Sequence, residues 1–111
     1  MKTFLALYMG KPGAPQQAPP DQATIAKGMG AWHKWMTDHA NSVADTGGPL
    51  GKTKRAASDG ISDIRNAVAG YVIVKAESHD AAAKLFESHP HFSIFPGDSV
   101  EIMEIMPVPG M

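Results

Sequence analysis

Gly70-Tyr71-Val72-Ile73-Val74-Lys75-Ala76-Glu77-Ser78-His79-Asp80-Ala81-Ala82-Ala83 decides the fold of this chain. Val72, Val74 and Ala76 alternate with Tyr71, Ile73 and Lys75, the two-residue period of a strand whose side chains point to opposite faces. The mostly apolar run reads as a central strand entered at Gly70. After Glu77 the alternation gives way to a helix start. Ser78 is placed to cap it, Asp80 lies in its positive first turn, and Ala82, Leu85, Phe86 and His89 form its inner face before Pro90. Ser78, His79 and Asp80 are the residue types of a hydrolytic triad, but neighbours at a helix start point in different directions, and a triad needs spatial adjacency. The segment is a strand feeding a capped helix.

Working outward, Phe4, Ala6 and Tyr8 alternate with Leu5, Leu7 and Met9, a first strand that is apolar on both faces. The run is too short, and too quickly followed by Gly10-Lys11-Pro12, to read as a leader. Gly10 to Pro20 reads as a loop. It lacks the Gly-Lys-Ser/Thr ending of a phosphate loop. Pro20 and Asp21 suit a helix start, and Ile25, Met29, Trp32, Met36, His39 and Val43 recur at helical spacing, so the helix is expected to run until Gly47-Gly48-Pro49 breaks it. Lys52 to Ala57 reads as a polar strand at a sheet edge, reversed by Ser58-Asp59-Gly60. Ile61 to Ala69 has no clear period. Phe92, Ile94, Phe95 and Pro96 read as an apolar loop, and Val100 to Val108 as the last strand.

These elements give an α+β, ferredoxin-like βαββαβ order: a four-stranded antiparallel sheet with two helices on one face. Two helices cover one face only, while the first, third and fourth strands are apolar on both. A second copy of the chain, packed through a two-fold axis, is the expected cover.

Composition sets the outer bounds. A chain of 111 residues, 43% hydrophobic and 19% charged, is sized and composed for a single domain over 1–111. Ten basic against eleven acidic residues give no field for nucleic acid or an anionic membrane. No apolar run reaches the roughly 18 residues of a span. The absence of cysteine removes thiol chemistry and fits a cytoplasmic protein.

Met1 to Gly10, the pair Trp32 and Trp35, Gly70 to Ala82, and Gly97-Asp98-Ser99-Val100-Glu101-Ile102-Met103-Glu104-Ile105-Met106-Pro107 resemble the YCII-related family of dimeric α/β-barrel proteins. Gly48-Pro49-Leu50-Gly51 is not the Asp-Gly-Pro-Phe signature of a sister branch, so the resemblance is to a divergent subgroup. It implies a face-to-face homodimer and cofactor-free acid/base chemistry in a cleft. Related barrels include lactone isomerases, dehydrohalogenases and small monooxygenases. The family's histidine lies on the first helix, where this chain has His33 and His39.

Histidine is the side chain suited to proton transfer near neutral pH. His33, on a flank of the first helix, is the first candidate proton shuttle, with His91 and Glu104 next; burial of Glu104 would raise its pKa. Trp32, Trp35, His39 and Tyr8 are the candidate ligand walls. Each has a structural alternative: a boundary position for His33, a satisfied core histidine for His39, packing for the tryptophans, and for Glu104 an ion pair with Lys54, Arg55 or Lys75. His89-Pro90-His91 sets two imidazoles close enough to invite zinc with Glu101 or Glu104, but that spacing alone is not specific, and no metal ligand is assigned. The expected function is small-molecule binding with isomerase, lyase or monooxygenase-type chemistry; the competing expectation is a non-catalytic binding or accessory homodimer.

Overall fold

The computed structural model describes residues 1–11 and 21–110; the loop expected over Gly10 to Pro20, apart from Gly10 and Lys11, lies outside them, as does Pro20 at the expected start of the first helix. In order the elements are β1 (Lys2–Met9), α1 (Gln22–Asp38), β2 (Val43–Pro49), β3 (Thr53–Ala57), β4 (Gly60–Ile64), β5 (Val68–Ala76), α2 (His79–Lys84), α3 (Pro90–Ser93) and β6 (Ser99–Glu104). Four strands form one antiparallel sheet in the order β2-β5-β1-β6, and β3 pairs with β4 alone. The result is an α+β fold consistent with the ferredoxin-like class.

Alternation along the two central strands sets the core. Phe4, Ala6 and Tyr8 of β1 and Val72, Val74 and Ala76 of β5 are buried on one face, where they meet Trp35 of α1 together with Ala82 and Phe86. Phe4 pairs with Val74 and Ala6 with Val72, so matched residues meet side by side in the buried layer. The opposite face carries Leu5, Leu7, Tyr71 and Ile73, all half-buried, and Met103, which is 41% exposed. None of these five belongs to the core cluster.

Local chemistry fixes the helix ends. Asp21 accepts the Thr24 N–H at 2.7 Å and caps α1. At the other end the His39 backbone N–H and the ring Nδ1 both donate to the Trp35 carbonyl, at 3.0 and 2.9 Å. That double closure stops the helix at Asp38, short of Gly47. Ser78 caps α2 as expected, accepting the Ala81 N–H at 3.1 Å. His79 then donates Nε2–H to the Ile102 carbonyl at 2.7 Å and stacks on Phe4, tying α2 to β6.

Three expectations are corrected. The strand expected at the edge beside β5 is β2, Val43–Pro49, and not the polar Lys52–Ala57 segment, which pairs antiparallel with β4 in a separate hairpin. Val43 accordingly pairs with Val74 rather than continuing the helix. Gly47-Gly48 reads as a helix breaker but works as a bulge: Gly47 has a φ of 63°, and a Cβ there would collide with the Tyr71 carbonyl. Finally, Pro90 does more than stop a helix. It opens the one-turn α3, whose N-cap is His89, after Ser88 reverses the chain at a φ of 58°.

Candidate functional site

The buried face of the sheet ends at Tyr8, and an aromatic cluster converges on its ring. Trp32 lies 4.7 Å away between ring centroids, His89 5.1 Å and His91 5.3 Å. Trp32 stands edge-on to His89 at 4.6 Å, while Trp35 packs behind it at 4.8 Å. The register of β1 brings Tyr8 here, and the Ser88 reversal turns His89 inward to zero exposure.

Hydrogen bonds fix the tautomers of both histidines. The His91 backbone N–H donates to His89 Nδ1 at 2.9 Å, so Nδ1 is an acceptor and the ring proton sits on Nε2. Nε2 faces the Tyr8 hydroxyl at 3.3 Å, a long contact in which the imidazole donates and the phenol oxygen accepts. Burial, and then the neighbouring His91 and His39, push the His89 pKa down to about 4, so this ring stays neutral near neutral pH. Burial pushes the Tyr8 phenol above its ordinary value, which keeps its proton on oxygen.

His91 is held as the same tautomer by a different partner. Its Nε2 lies 2.7 Å from the Met9 carbonyl, which can only accept, so Nε2 carries the proton and Nδ1 keeps its lone pair in the neutral ring. Among the described residues no fully buried side-chain nitrogen or oxygen lacks a partner. Among those residues His91 Nδ1 has no hydrogen-bond partner. Gly97 makes the arrangement possible, since a Cβ there would fall on the His91 ring.

Tyr8, Trp32 and His91 open onto a cavity of about 270 Å³. Met29 of α1, Thr46, Gly48 and Pro49 of β2, and Ala69, Gly70 and Tyr71 of β5 complete its lining. Gly70 pairs with Tyr8 across the sheet, and a Cβ on it would meet the Gly48 carbonyl at 3.0 Å and the Tyr8 ring at 3.5 Å. The cavity is large enough for a small ring: engineered protein cavities of about 150 Å³ hold benzene.

Of the residues singled out from sequence, Tyr8, Trp32 and His91 come together at the cavity. Trp35 is a core residue whose indole N–H donates to the Leu85 carbonyl at 2.9 Å. His39 closes the helix end beside it. Neither lines the cavity, nor do His33, which is exposed on α1, and Glu104, which is half-buried and 3.9 Å from Lys2 rather than paired with Lys54, Arg55 or Lys75. Among the described residues no three His, Asp or Glu side chains gather in metal-holding geometry. Sequence reasoning missed the polar role of His89 and the contributions of Met29, Gly70 and Tyr71. The His-Pro-His run and the glycine at the strand entry were the available signals.

No protein-family model matches the chain, and no curated protein matches it. Among solved structures it is similar to 5-chloro-2-hydroxyhydroquinone dehydrochlorinase from Burkholderia phenoliruptrix AC1100, in complex with 2,5-dihydroxybenzoquinone. The TM-score is 0.57 at 16% identity, over 94% of this chain and 93% of that one. At that identity the likeness speaks for the fold.

Proposed function

We propose that this chain is a YCII-related, cytoplasmic small-molecule-binding protein that acts as a cofactor-free acid/base enzyme on planar, oxygenated, hydrophobic compounds. What supports the reading is that Tyr8 and His91, the first bearing a neutral phenol and the second a ring Nδ1 with no hydrogen-bond partner among the described residues, line one cavity together with Trp32. In such a site His91 Nδ1 takes a proton from the substrate. Tyr8 hydrogen-bonds to the oxygen on which negative charge develops. Elimination and tautomerisation both begin with that step, which favours lyase or isomerase chemistry. The structural neighbour, by its name a dehydrochlorinase of a chlorinated hydroxyhydroquinone, supports substituted hydroxyhydroquinones as the first compounds to offer. Among the described residues no helix is long and apolar enough to cross a membrane.

The acid/base pair of this reading is His91 with Tyr8, and His33 and Glu104 serve as comparison positions outside the cavity. The chain is further proposed to pair with a second copy through the sheet face bearing Leu5, Leu7, Ile73 and Met103, because apolar surface left open there gains by burial. Binding without turnover is the second reading, supported by the apolar share of the lining: Met29, Trp32, Pro49 and Ala69.

A panel of halogenated and hydroxylated hydroquinones, followed by absorbance, tests the proposal. Turnover that falls about 100-fold or more in His91→Ala and is retained in His33→Ala is the expected result. Turnover unchanged in His91→Ala would remove His91 from the chemistry, and ligand binding with no product on any compound would favour the second reading.

A further inference from the structure

We infer that the β3–β4 hairpin is an arm with which each chain clasps a second copy of itself at the outer edge of β6. The inference rests on the proposed pairing of two chains through the open sheet face, and goes beyond it by naming the element that holds them together and the direction of the two-fold axis.

A two-stranded hairpin is at best marginally stable in water on its own. Among the described residues this one pairs only with itself, and its main contacts run between its own strands. All five residues of β4 and four of the five of β3 are exposed, Ile61 to 76%. The root is nonetheless firmly set. Leu50 donates its N–H to the Ala69 carbonyl at 2.9 Å, while Asn66 accepts the Val68 N–H at 3.0 Å and donates to the Thr53 hydroxyl at 3.3 Å. The chain thus holds out, in a fixed direction, a segment without the packing that would stabilise it.

Charge and register say where the arm lands. Residues 50–67 carry four basic side chains, Lys52, Lys54, Arg55 and Arg65, against two acidic ones. Residues 77–104, which form α2, α3 and β6, carry six acidic against one basic. β6 is the sheet edge opposite β2. Ile105 donates its N–H to the Thr3 carbonyl at 2.8 Å, which fixes the phase of the ladder, so Val100, Ile102 and Glu104 turn their backbone groups outward. His79 occupies the Ile102 carbonyl; the outward N–H groups of the three have no partner among the described residues. Such an edge invites an added segment.

Tyr8 faces Gly70 on one side and Val100 on the other, so the root of the arm and the start of β6 lie at the same end of the sheet. A two-fold axis running along the strands, between two facing sheets, keeps that end in common and sets the β2 edge of each chain over the β6 edge of the other. Each arm, leaving at the end of β2, is then carried to the start of the partner copy's β6, where Asp98 and Glu101 stand exposed. Strands of five residues reach about 17 Å, enough to cross the roughly 10 Å between packed sheets.

Reversing the charges on each side tests the contact. Lys52→Glu with Arg55→Glu reverses the arm and leaves the Lys54–Asp63 pair at 2.7 Å to hold the hairpin; Asp98→Lys with Glu101→Lys reverses the edge. In sedimentation equilibrium each double variant alone is expected to dimerise at least about tenfold more weakly than the unmutated protein, because both contacts of its dimer set like charges together. An equimolar mixture of the two sets opposite charges together at both contacts, and is expected to recover the unmutated affinity to within about threefold. Variants that dimerise as tightly as the unmutated protein, or a mixture no tighter than either alone, would overturn the arm while leaving the pairing of sheet faces. An unmutated protein that is monomeric at micromolar concentration would overturn both. Hydrogen exchange of the unmutated chain needs no variant: the cross-strand amides of β3 and β4 are expected to slow at least about tenfold from monomer to dimer, and equal rates in the two states overturn the inference.

Discussion

His91 gives its backbone N–H to Nδ1 of His89, two residues back, at 2.9 Å, and that bond sets the state of a ring with zero exposure. A protonated His89 would lose the acceptor and bury a charge. Burial first, and then the neighbouring His91 and His39, push the pKa down to about 4 from an ordinary value of 6.5. An unfolded chain binds the proton as pH falls through 6.5, while the folded chain resists until about 4, so the stability contribution is full above the first value and is lost between the two. Urea unfolding followed against pH should show the protein weakening across that window, with uptake of up to about one proton per chain from this residue. His89→Asn, which keeps an acceptor but cannot titrate, should flatten the dependence. A window unchanged in that variant would assign the effect elsewhere.

Tyr8→Phe leaves the ring in place but takes the acceptor away from the buried His89 Nε2–H. An unsatisfied buried donor costs about 1–3 kcal/mol, so this variant should be folded and measurably less stable. Thermal melting checks the stability, and an unchanged circular dichroism spectrum checks the fold.

The two tryptophans should separate. Trp35 is 7% exposed, packs on Phe86 at 5.0 Å and donates to the Leu85 carbonyl, so Trp35→Ala should cost about 3–5 kcal/mol. Trp32 is half-buried and lines the cavity. Trp32→Ala should cost less stability than Trp35→Ala and abolish ligand binding. Equal stability losses in the pair would make Trp32 a core residue rather than a wall.

Glycines on one helix should also behave oppositely. A Cβ on Gly30 meets nothing, so Gly30→Ala should stabilise by up to about 1 kcal/mol. A Cβ on Gly28 would fall on the Phe95 ring, and Gly28→Ala should destabilise by about 1–3 kcal/mol through overpacking. Chemical unfolding of the two variants side by side decides it.

This contrast explains part of what the sequence concealed. The apolar period placed Ile25, Met29, Trp32 and Met36 inward, yet Ile25 and Met29 are 40% and 55% exposed. Trp32 and Met36 do pack against the core, but the buried positions of the helix are Gly28 and Trp35, which the pattern left out, because a glycine that accommodates an aromatic ring counts for nothing on a hydropathy pattern. The same kind of omission hid β2: its Gly47-Gly48 bulge is defined by approach to the Tyr71 carbonyl, a contact remote in sequence. By contrast, Gly70 to Ala83 was legible throughout, since alternation, the Ser78 cap and the first-turn Asp80 are all local. The polarity of the site was not legible, because the tautomer of His89 depends on where a backbone N–H points.

The proposed pairing of chains predicts a dimer at micromolar concentration in sedimentation. Leu5 lies between Ile73 and Met103 in the sheet, so Leu5→Glu would bury a carboxylate in the proposed contact and should shift the protein to monomer. An unmutated protein that sediments as monomer contradicts the pairing.

A crystal structure of the protein soaked with a planar hydroxyquinone tests the central claim most directly. The account predicts the ring in the cavity beside Trp32, with one ligand oxygen in hydrogen-bond range of Tyr8 Oη and another in range of His91 Nδ1. A ligand ring bound away from Tyr8 and His91, or one in the cavity with its oxygens turned from both, would contradict it.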